Sequence, residues 1–450
     1  MRIAGVLAVL LEGALCLSGC TNGVQTASTQ MPSQWVVAWG ASPENAQAST
    51  TDPGGQEQSF RFFFYPTVSG TQERVHLSNL YATGPITIGA ARLALAASTN
   101  GATGDAIDTA HDTALTFNGS SSVTLAAGQE IVSDPVNITY SFGAKMAVSL
   151  YVKGTFGPLT QHDSEFNTSF QTAPGAGDAT GDAAGEAYTQ TNTEWFVVTG
   201  VDVYGPYQGT VALYGSSSVD GHASNYGNTN AYPVANVPVV GQDNDRPSDW
   251  LARQLAAAGY NLGVLNAGAI GDPAGEDART ATGFVGAGVD RMQHDVLQQA
   301  AVKAVVIYFG GIDLRGDCLP ATNVEASLTN MVSQAYAAGV RVILATLPPS
   351  EYCTTSAPQP SSTDPFAGDI NDPPENSGST QRRALNSWIR TSGAALPGVV
   401  AIADFDQALL YPAHPDFMQP SLNSGDNFHP NGAGYGVQSS AIPLGSLLGQ

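Results

Sequence analysis

Positive charge is scarce in this chain: 16 Lys and Arg stand against 38 Asp and Glu in 450 residues, for a net charge of −22. Such a balance repels a phosphate backbone and argues against nucleic acid as a partner. Cysteine is rarer still, with four in all, and neither Cys318 nor Cys353 has a Cys or His nearby at zinc-ligand spacing. No Gly-x-x-x-x-Gly-Lys phosphate loop, no Gly-x-Gly-x-x-Gly after a strand and no His-Glu-x-x-His occurs. The Gly-x-Ser-x-Gly nucleophile elbow is missing as well. These absences leave no cofactor or metal to expect. Beyond the first twenty residues, no stretch approaches the ~18 continuous apolar residues of a membrane helix.

The start of the chain reads as an export signal. Arg2 supplies a charge, Ile3 to Leu17 is mostly apolar but interrupted by Glu12, and Leu17-Ser18-Gly19-Cys20 resembles a bacterial lipoprotein cleavage box. This predicts a signal peptide over residues 1–19, a lipid on the Cys20 thiol and residence in the cell envelope, periplasmic or at the cell surface. Membrane contact is then through that anchor only. An ordinary signal peptide with an incidental Cys20 is the alternative. In an oxidising compartment the remaining pair, Cys318 and Cys353, is a disulfide candidate.

Gly (50) and Pro (27) are plentiful, which favours turns and loops over helical bundles. After a polar linker over 20–34, residues 35–205 lack amphipathic helices. They carry short β-rich runs at Ser59–Tyr65, Arg74–Ser78, Met146–Val152 and Trp195–Val203, which predict an antiparallel β-sandwich. Ala173 to Ala187, rich in Gly, Ala and Asp, reads as a mobile spacer without core-forming residues. From residue 206 the pattern changes. Apolar runs at Gly209–Gly215, Leu262–Leu265, Ala304–Phe309, Arg341–Thr346 and Val399–Ala403 alternate with helical stretches near Ser248–Ala258, Val289–Gln299, Val324–Ala338 and Thr380–Thr391. Continuous apolar strands between helices predict a parallel sheet covered on both faces, with ligands at the carboxyl ends of its strands. The long loop Thr354–Gly378 leaves from that edge and is either a substrate rim or disordered.

Two segments carry candidate chemistry. Gly215-Ser-Ser-Ser-Val-Asp-Gly221 follows the first parallel strand, and Ser424-Gly-Asp-Asn-Phe-His-Pro430 places Asp426 three residues before His429. A hydroxyl nucleophile needs a base, and the base needs a partner that fixes its tautomer. An Asp-x-x-His turn can bring both groups to a Ser on a distant strand end. Taken singly, a Gly/Ser run is a turn and a loop His is a side chain facing water.

In order and company, these segments resemble the four blocks of the SGNH (GDSL-type) hydrolase superfamily. The first block is Gly215 to Gly221, with Ser217 at the nucleophile position. Asn266-Ala-Gly-Ala-Ile-Gly271 is the second, Gly310-Gly-Ile-Asp313 the third and Asp426-x-x-His429-Pro430-Asn431 the last, followed by Gly432-Ala-Gly-Tyr435. Upstream, Trp35-Val-Val-Ala-Trp39-Gly-Ala-Ser-Pro43, Arg74-Val-His-Leu-Ser-Asn79 and Trp195-Phe resemble the β-domain that precedes the hydrolase in some exported members. The resemblance implies a three-layer α/β/α domain over 206–450. It further implies a Ser217–His429–Asp426 triad and an oxyanion hole from the backbone N–H groups of Ser217 and Gly271. The expected activity is ester hydrolysis, with acyl (acetyl) esters of carbohydrate foremost.

Two positions depart from the family pattern. Ser216 stands where a loop-bracing Asp is usual, and Ile312 where an Asn donates to the oxyanion. Losing one such donor typically costs ~10²–10³ in turnover. A second reading therefore stands beside the enzyme: a degraded hydrolase kept as a glycan- or envelope-binding module. Ser216 or Ser218 becomes the nucleophile if the loop register slips by one. The other histidines (76, 111, 162, 222, 294 and 414) read as structural or surface residues, with His222 a minor candidate for the cleft. Asp313 and Arg315 follow a strand end and read as a simple ion pair or, failing that, as groups lining the cleft, and a Cys318–Cys353 bridge would pin the rim of the site.

Overall fold

The computed structural model describes residues 31–46, 54–97, 104–163, 167–224, 244–275, 286–350, 366 and 377–449. The amino-terminal portion is built from β1 (Gln34–Gly40), β2 (Gly55–Phe64), β3 (Glu73–Ser78), β4 (Ile86–Ala96), β5 (Ile107–Ala114), β6 (Val123–Leu125) and β7 (Glu130–Val132). It continues through β8 (Met146–Phe156), β9 (Gln161–His162), β10 (Ser169–Gln171), β11 (Gln190–Asn192), β12 (Trp195–Phe196) and β13 (Val198–Gly205). One antiparallel sheet runs β1-β13-β3-β7 and the other β11-β10-β2-β8-β4-β5, with β6 on β4. Their facing side chains share one core: Trp39, Val75, Leu77 and Val201 from the first sheet meet Phe60, Phe62, Ile88, Leu93 and Val148 from the second. The expected sandwich is present, and β1 and β2 are buried on both faces over most of their length.

The run Trp195–Val203 is not one strand. Val197 has φ of 68°, a conformation that β-branched residues rarely adopt. The break turns Trp195–Phe196 away to pair with β9, which carries His162. Ala173–Ala187 is also more ordered than its composition suggests. Arg61, buried in β2, donates to the Thr180 carbonyl (3.2 Å), Ser59 donates to that of Gly177 (3.0 Å), and Ala179 and Ala183 pack against Phe63 and Tyr188. A buried guanidinium needs carbonyl acceptors, and this segment supplies one.

The carboxy-terminal portion begins with β14 (Gly209–Gly215), followed by α1 (Ser217–Asp220), α2 (Pro247–Ala257), β15 (Leu262–Gly268) and α3 (Gly288–Met292), which runs on into a π-turn. Next come β16 (Val302–Tyr308), α4 (Gly311–Arg315), α5 (Ala321–Ala337), β17 (Arg341–Ala345), α6 (Ser377–Arg390) and β18 (Val399–Ala403). The chain ends with α7 (Phe405–Leu409), a small hairpin of β19 (Leu410–Tyr411) and β20 (His414–Met418), and α8 (Gly432–Ser440). The five strands β15-β14-β16-β17-β18 form a parallel sheet. Helices cover it: α2 packs with α8, and α5 packs with α3 and α6. Every residue of β14 and β15 is buried, so continuous apolar sequence was needed there. From β14 the chain steps out to β15 and then returns to the other side for β16. The strand order therefore reverses at the carboxyl end of β14, the usual position of a ligand crevice in an open α/β sheet.

The β-sandwich closes the outer edge of this sheet. β1 lies against β15, and Gly263 is the residue that lets it approach, since a Cβ there would collide with the Val37 carbonyl oxygen. The Thr67 hydroxyl donates to the Ala38 carbonyl (2.9 Å) and accepts from Val264 N–H (2.9 Å), and Val37 N–H donates to the Thr210 hydroxyl (3.0 Å). Covering an edge strand in this way also blocks unwanted strand pairing. The loop expected at Thr354–Gly378 lies almost wholly outside the described residues, and so does Cys353.

Candidate active site

The chain leaves β14 at Gly215 and folds at once into the single turn α1, closed by Gly221 at φ 107°. Ser217 is the first residue of that turn, and Ser216 is its cap position without a capping side-chain bond. Asn266, at the middle of β15, donates to the carbonyls of Val219 (3.0 Å) and Asp220 (3.3 Å) and to the Ser248 hydroxyl (3.1 Å). That side chain fixes the turn against the neighbouring strand.

The loop that carries Asp426 and His429 is organised by one carboxylate. Asp426 Oδ1 accepts from the backbone N–H groups of Phe428 and His429 (both 2.8 Å) and from the Ser424 hydroxyl (3.0 Å). Its other oxygen accepts from His429 Nδ1 at 2.5 Å, and His429 Nε2 lies 2.8 Å from Ser217 Oγ. Residues 212 positions apart in sequence thus form one hydrogen-bonded chain. Burial would raise the Asp426 pKa, but the charge of His429 and the N–H groups of His429 and Phe428 outweigh it and hold the carboxyl well below the usual range. Just downstream, Asn431 caps α8 by accepting from Gly434 N–H (2.9 Å), and the Tyr435 hydroxyl donates to the His222 carbonyl (2.7 Å). The Asp426–His429 loop and the Ser217 turn are therefore tied together on both sides.

These blocks are also matched as a unit. The model of the GDSL-like lipase/acylhydrolase family matches residues 213–437, half of the chain. The chain belongs to this family.

No curated protein matches the acylhydrolase. Among solved structures it is similar to an inhibitor-bound aryl esterase of M. smegmatis, with 16% identity over 53% of this chain and 100% of that one, at a TM-score of 0.38. It is also similar to a family two carbohydrate esterase of Clostridium thermocellum in complex with cellohexaose, with 12% identity over 91% and 99% of the two chains, at 0.37. A carbohydrate acetylesterase family member from Sinorhizobium meliloti gives 15%, 54%, 100% and 0.38 in the same order. At such identities and scores these likenesses decide nothing further.

Gly271 lies in the loop that leaves β15, on the same sheet edge as Ser217. That loop is held to β14, because Ala269 N–H donates to the Gly215 carbonyl (3.1 Å). It is braced from three further directions. Ile270 N–H donates to Glu44 Oε1 at 2.7 Å, Asp272 pairs with buried Arg291, and Asp313 accepts from Ala274 N–H at 3.0 Å. Burial pushes the carboxyls of Asp272 and Asp313 up to about 6 in spite of these partners. Ile312 sits in α4 beyond β16, half-buried. Its neighbour Gly311 abuts Phe428, where a Cβ would come within 2.8 Å of the ring. The third block therefore lies beside the Asp426–His429 loop.

Several sequence expectations change. Asp313 and Arg315 do not pair with each other: Asp313 serves the Ala274 and Gly275 amides, and the Arg315 guanidinium lies 4.5 Å over the Phe428 ring. His222 belongs to the site, its ring centroid 4.5 Å from that of His429. Burial, and secondarily the charge of His429, lowers its pKa, so beside His429 it is a neutral neighbour. His222, Asp426 and His429 also form a cluster whose ligand atoms lie within 4.8 Å. Both ring nitrogens of His429 are already engaged, however, and a cation would have to displace Ser217 or Asp426. Cys318 follows α4 with φ of 51°. Cys20 and Cys353 lie outside the described residues. A cavity of about 430 Å³ lies at the seam of sandwich and sheet, lined by His76, Glu130, His294 and Asp295 and by no member of the triad.

Sequence reasoning missed Glu44, His162 and Arg291. None stands in a spacing that announces chemistry, and only folding brings them under the loops that carry Ser217 and Gly271.

Proposed function

We propose that the protein is a serine-dependent carboxylic-ester hydrolase acting on short acyl (acetyl) esters of carbohydrate. The reading rests above all on the continuous chain Ser217 Oγ–His429 Nε2 (2.8 Å) and His429 Nδ1–Asp426 Oδ2 (2.5 Å). Ser217 attacks the ester carbonyl while His429 takes its proton. Asp426 keeps the Nδ1 hydrogen in place and balances the imidazolium that forms. The backbone N–H groups of Ser217 and Gly271 stabilise the oxyanion. His429 then protonates the departing alcohol, and a water molecule deacylates Ser217 by the same route in reverse. The net charge of −22 favours neutral glycans over polyanionic ones. An ester, with its easier leaving group, suits a hole that has Ile312 where Asn is usual.

Ile312 and Ser216 support a second reading, a degraded hydrolase retained for glycan or envelope binding. Hydrolysis of p-nitrophenyl acetate separates the two. The enzyme reading expects Ser217→Ala to abolish turnover, and equal rates for variant and wild type overturn it. Acetate release from an acetylated polysaccharide, against an acetylated aryl alcohol, tests the substrate class. We also propose that the protein is exported and anchored through a lipid on Cys20. Detergent-phase partitioning that survives Cys20→Ser would refute the anchor.

A further inference from the structure

Glu44 and His162 both come from the β-sandwich, and both are buried, at 5% and 3% exposure. His162 Nδ1 donates to the Ser42 carbonyl (2.8 Å) and its Nε2 lies 3.0 Å from Oδ1 of Asp220. Asp220 is 1% exposed and is the last residue of the turn that begins with Ser217. Since a carbonyl and a carboxylate only accept, serving both requires a hydrogen on each ring nitrogen, that is, an imidazolium. Burial would strip that proton, but Asp220 and then Glu44 more than compensate and push the His162 pKa up to about 10. Burial raises the Glu44 carboxyl to about 8 against the pull of His162, so Asp220 is the partner that holds the imidazolium. Glu44 Oε1 is 3.7 Å from His162 Nδ1 and accepts from Ile270 N–H, one residue before Gly271, while Oε2 accepts from Asp163 N–H (3.0 Å). The imidazole also stacks on Trp195, centroids 5.4 Å apart, so its plane is fixed. One hydrogen-bonded cluster from the sandwich therefore grips the Ser217 turn and the Gly271 loop together. A second route reaches the same loop: Glu130 of β7 meets His294 (2.9 Å), which meets Asp295 (2.6 Å), which pairs with Arg291 and so with Asp272.

We infer that the β-sandwich is a positioning element of the active site, and that His162 and Glu44 are positioning residues setting the Ser217 turn against the oxyanion-binding loop. The inference rests on the esterase reading above. Neither residue is expected to touch substrate. Each acts through a backbone or side chain next to a reacting group, and misplacement by about 1 Å at such a site costs turnover far more than binding.

The test uses the full-length protein, p-nitrophenyl acetate and four variants. His162→Gln and Glu44→Ala are expected to lower kcat by about 10- to 100-fold with KM within about twofold of wild type. Glu44→Gln, whose amide oxygen can still accept from Ile270, should recover most of that loss. The rate of Ser217 labelling by a serine-reactive phosphonate should fall with kcat. Circular dichroism and thermal unfolding establish that each variant is folded at the assay temperature. If His162→Gln does not fold, the Glu44 pair decides the matter. Folded variants that turn over at the wild-type rate overturn the inference, and so does a kcat loss that only follows loss of folded protein. Ser217→Ala keeps the two readings apart: if wild type shows no Ser217-dependent turnover, the esterase reading itself has failed.

Discussion

Replacing Asp426 by Asn probes the triad with little disturbance to its surroundings. Asp426 Oδ1 holds the loop through Phe428 N–H, His429 N–H and the Ser424 hydroxyl, and an amide oxygen can keep all three bonds. With that oxygen committed, the new NH₂ group occupies the position of Oδ2, 2.5 Å from His429 Nδ1. An NH₂ cannot accept, so Nδ1 must become the acceptor and the ring hydrogen moves to Nε2. That hydrogen then points at Ser217 Oγ, 2.8 Å away, and His429 can no longer take the serine proton. Comparable tautomer errors cost ~10⁴ in kcat, or about 5.5 kcal/mol of transition-state stabilisation. The expected outcome is a kcat for p-nitrophenyl acetate reduced by roughly 10³–10⁴ with KM nearly unchanged and thermal unfolding close to wild type. Asp426→Ala should cost the loop its clamp as well and so lower the unfolding temperature. An Asp426→Asn protein within tenfold of wild-type kcat would refute the assignment of Asp426 as the residue that orients the base.

Ile312→Asn should raise kcat by about 10- to 100-fold if position 312 faces the oxyanion. No gain in a folded variant would show that the side chain points elsewhere. Glu73, fully buried in β3, has a carboxyl that burial pushes up to about 8, against the pull of Ile138 N–H on Oε2 (3.1 Å). The folded state keeps a proton that the unfolded chain releases above about 4.5, so this stabilisation is present below pH 4.5 and lost as pH rises to about 8. Glu73→Gln should therefore flatten the fall of Tm between pH 5 and 9, and curves that stay parallel to wild type would refute it. Titration of the unfolded, unreduced protein should find neither Cys318 nor Cys353 as a free thiol, and two reactive thiols would remove the proposed bridge.

Much of the parallel sheet could be read from the chain because burial on both faces forces uninterrupted apolar runs, as in Gly209–Gly215 and Ala304–Tyr308. The triad candidates were legible for a different reason. Asp426 and His429 lie on one turn, so their pairing is local and leaves a fixed spacing. Long-range support left no such trace. His162 reaches Asp220 across 58 positions and Glu44 reaches Ile270 across 226, distances over which no local periodicity operates. Charge pairing also misled where chain proximity suggested it: Asp313 and Arg315 are two residues apart, yet backbone amides and an aromatic ring take them instead. The order of Ala173–Ala187 was hidden because its bonds are made by carbonyls, and a carbonyl is the same in every residue.

The position of Ile312 and the docking of the β-sandwich bear on each other. A hole lacking its side-chain donor relies wholly on backbone N–H groups, whose value depends on being held in place before the reaction begins. A backbone donor on a loop cannot be replaced by a rotamer change, so it must be fixed through its neighbours. The Gly271 loop is fixed in that way: Glu44 holds Ile270, Arg291 holds Asp272 and Asp313 holds Ala274. Two of those three anchors come from the sandwich, Glu44 directly and Arg291 through Asp295 and His294 to Glu130. On the proposed mechanism, the sandwich therefore compensates in rigidity for what the third block lacks in hydrogen bonding. It follows that Ile312→Asn should soften the penalty of Glu44→Ala, so the double variant should turn over faster than the product of the two separate effects on kcat. Strict multiplicativity in that double-mutant cycle would show that loop bracing and the missing donor act independently.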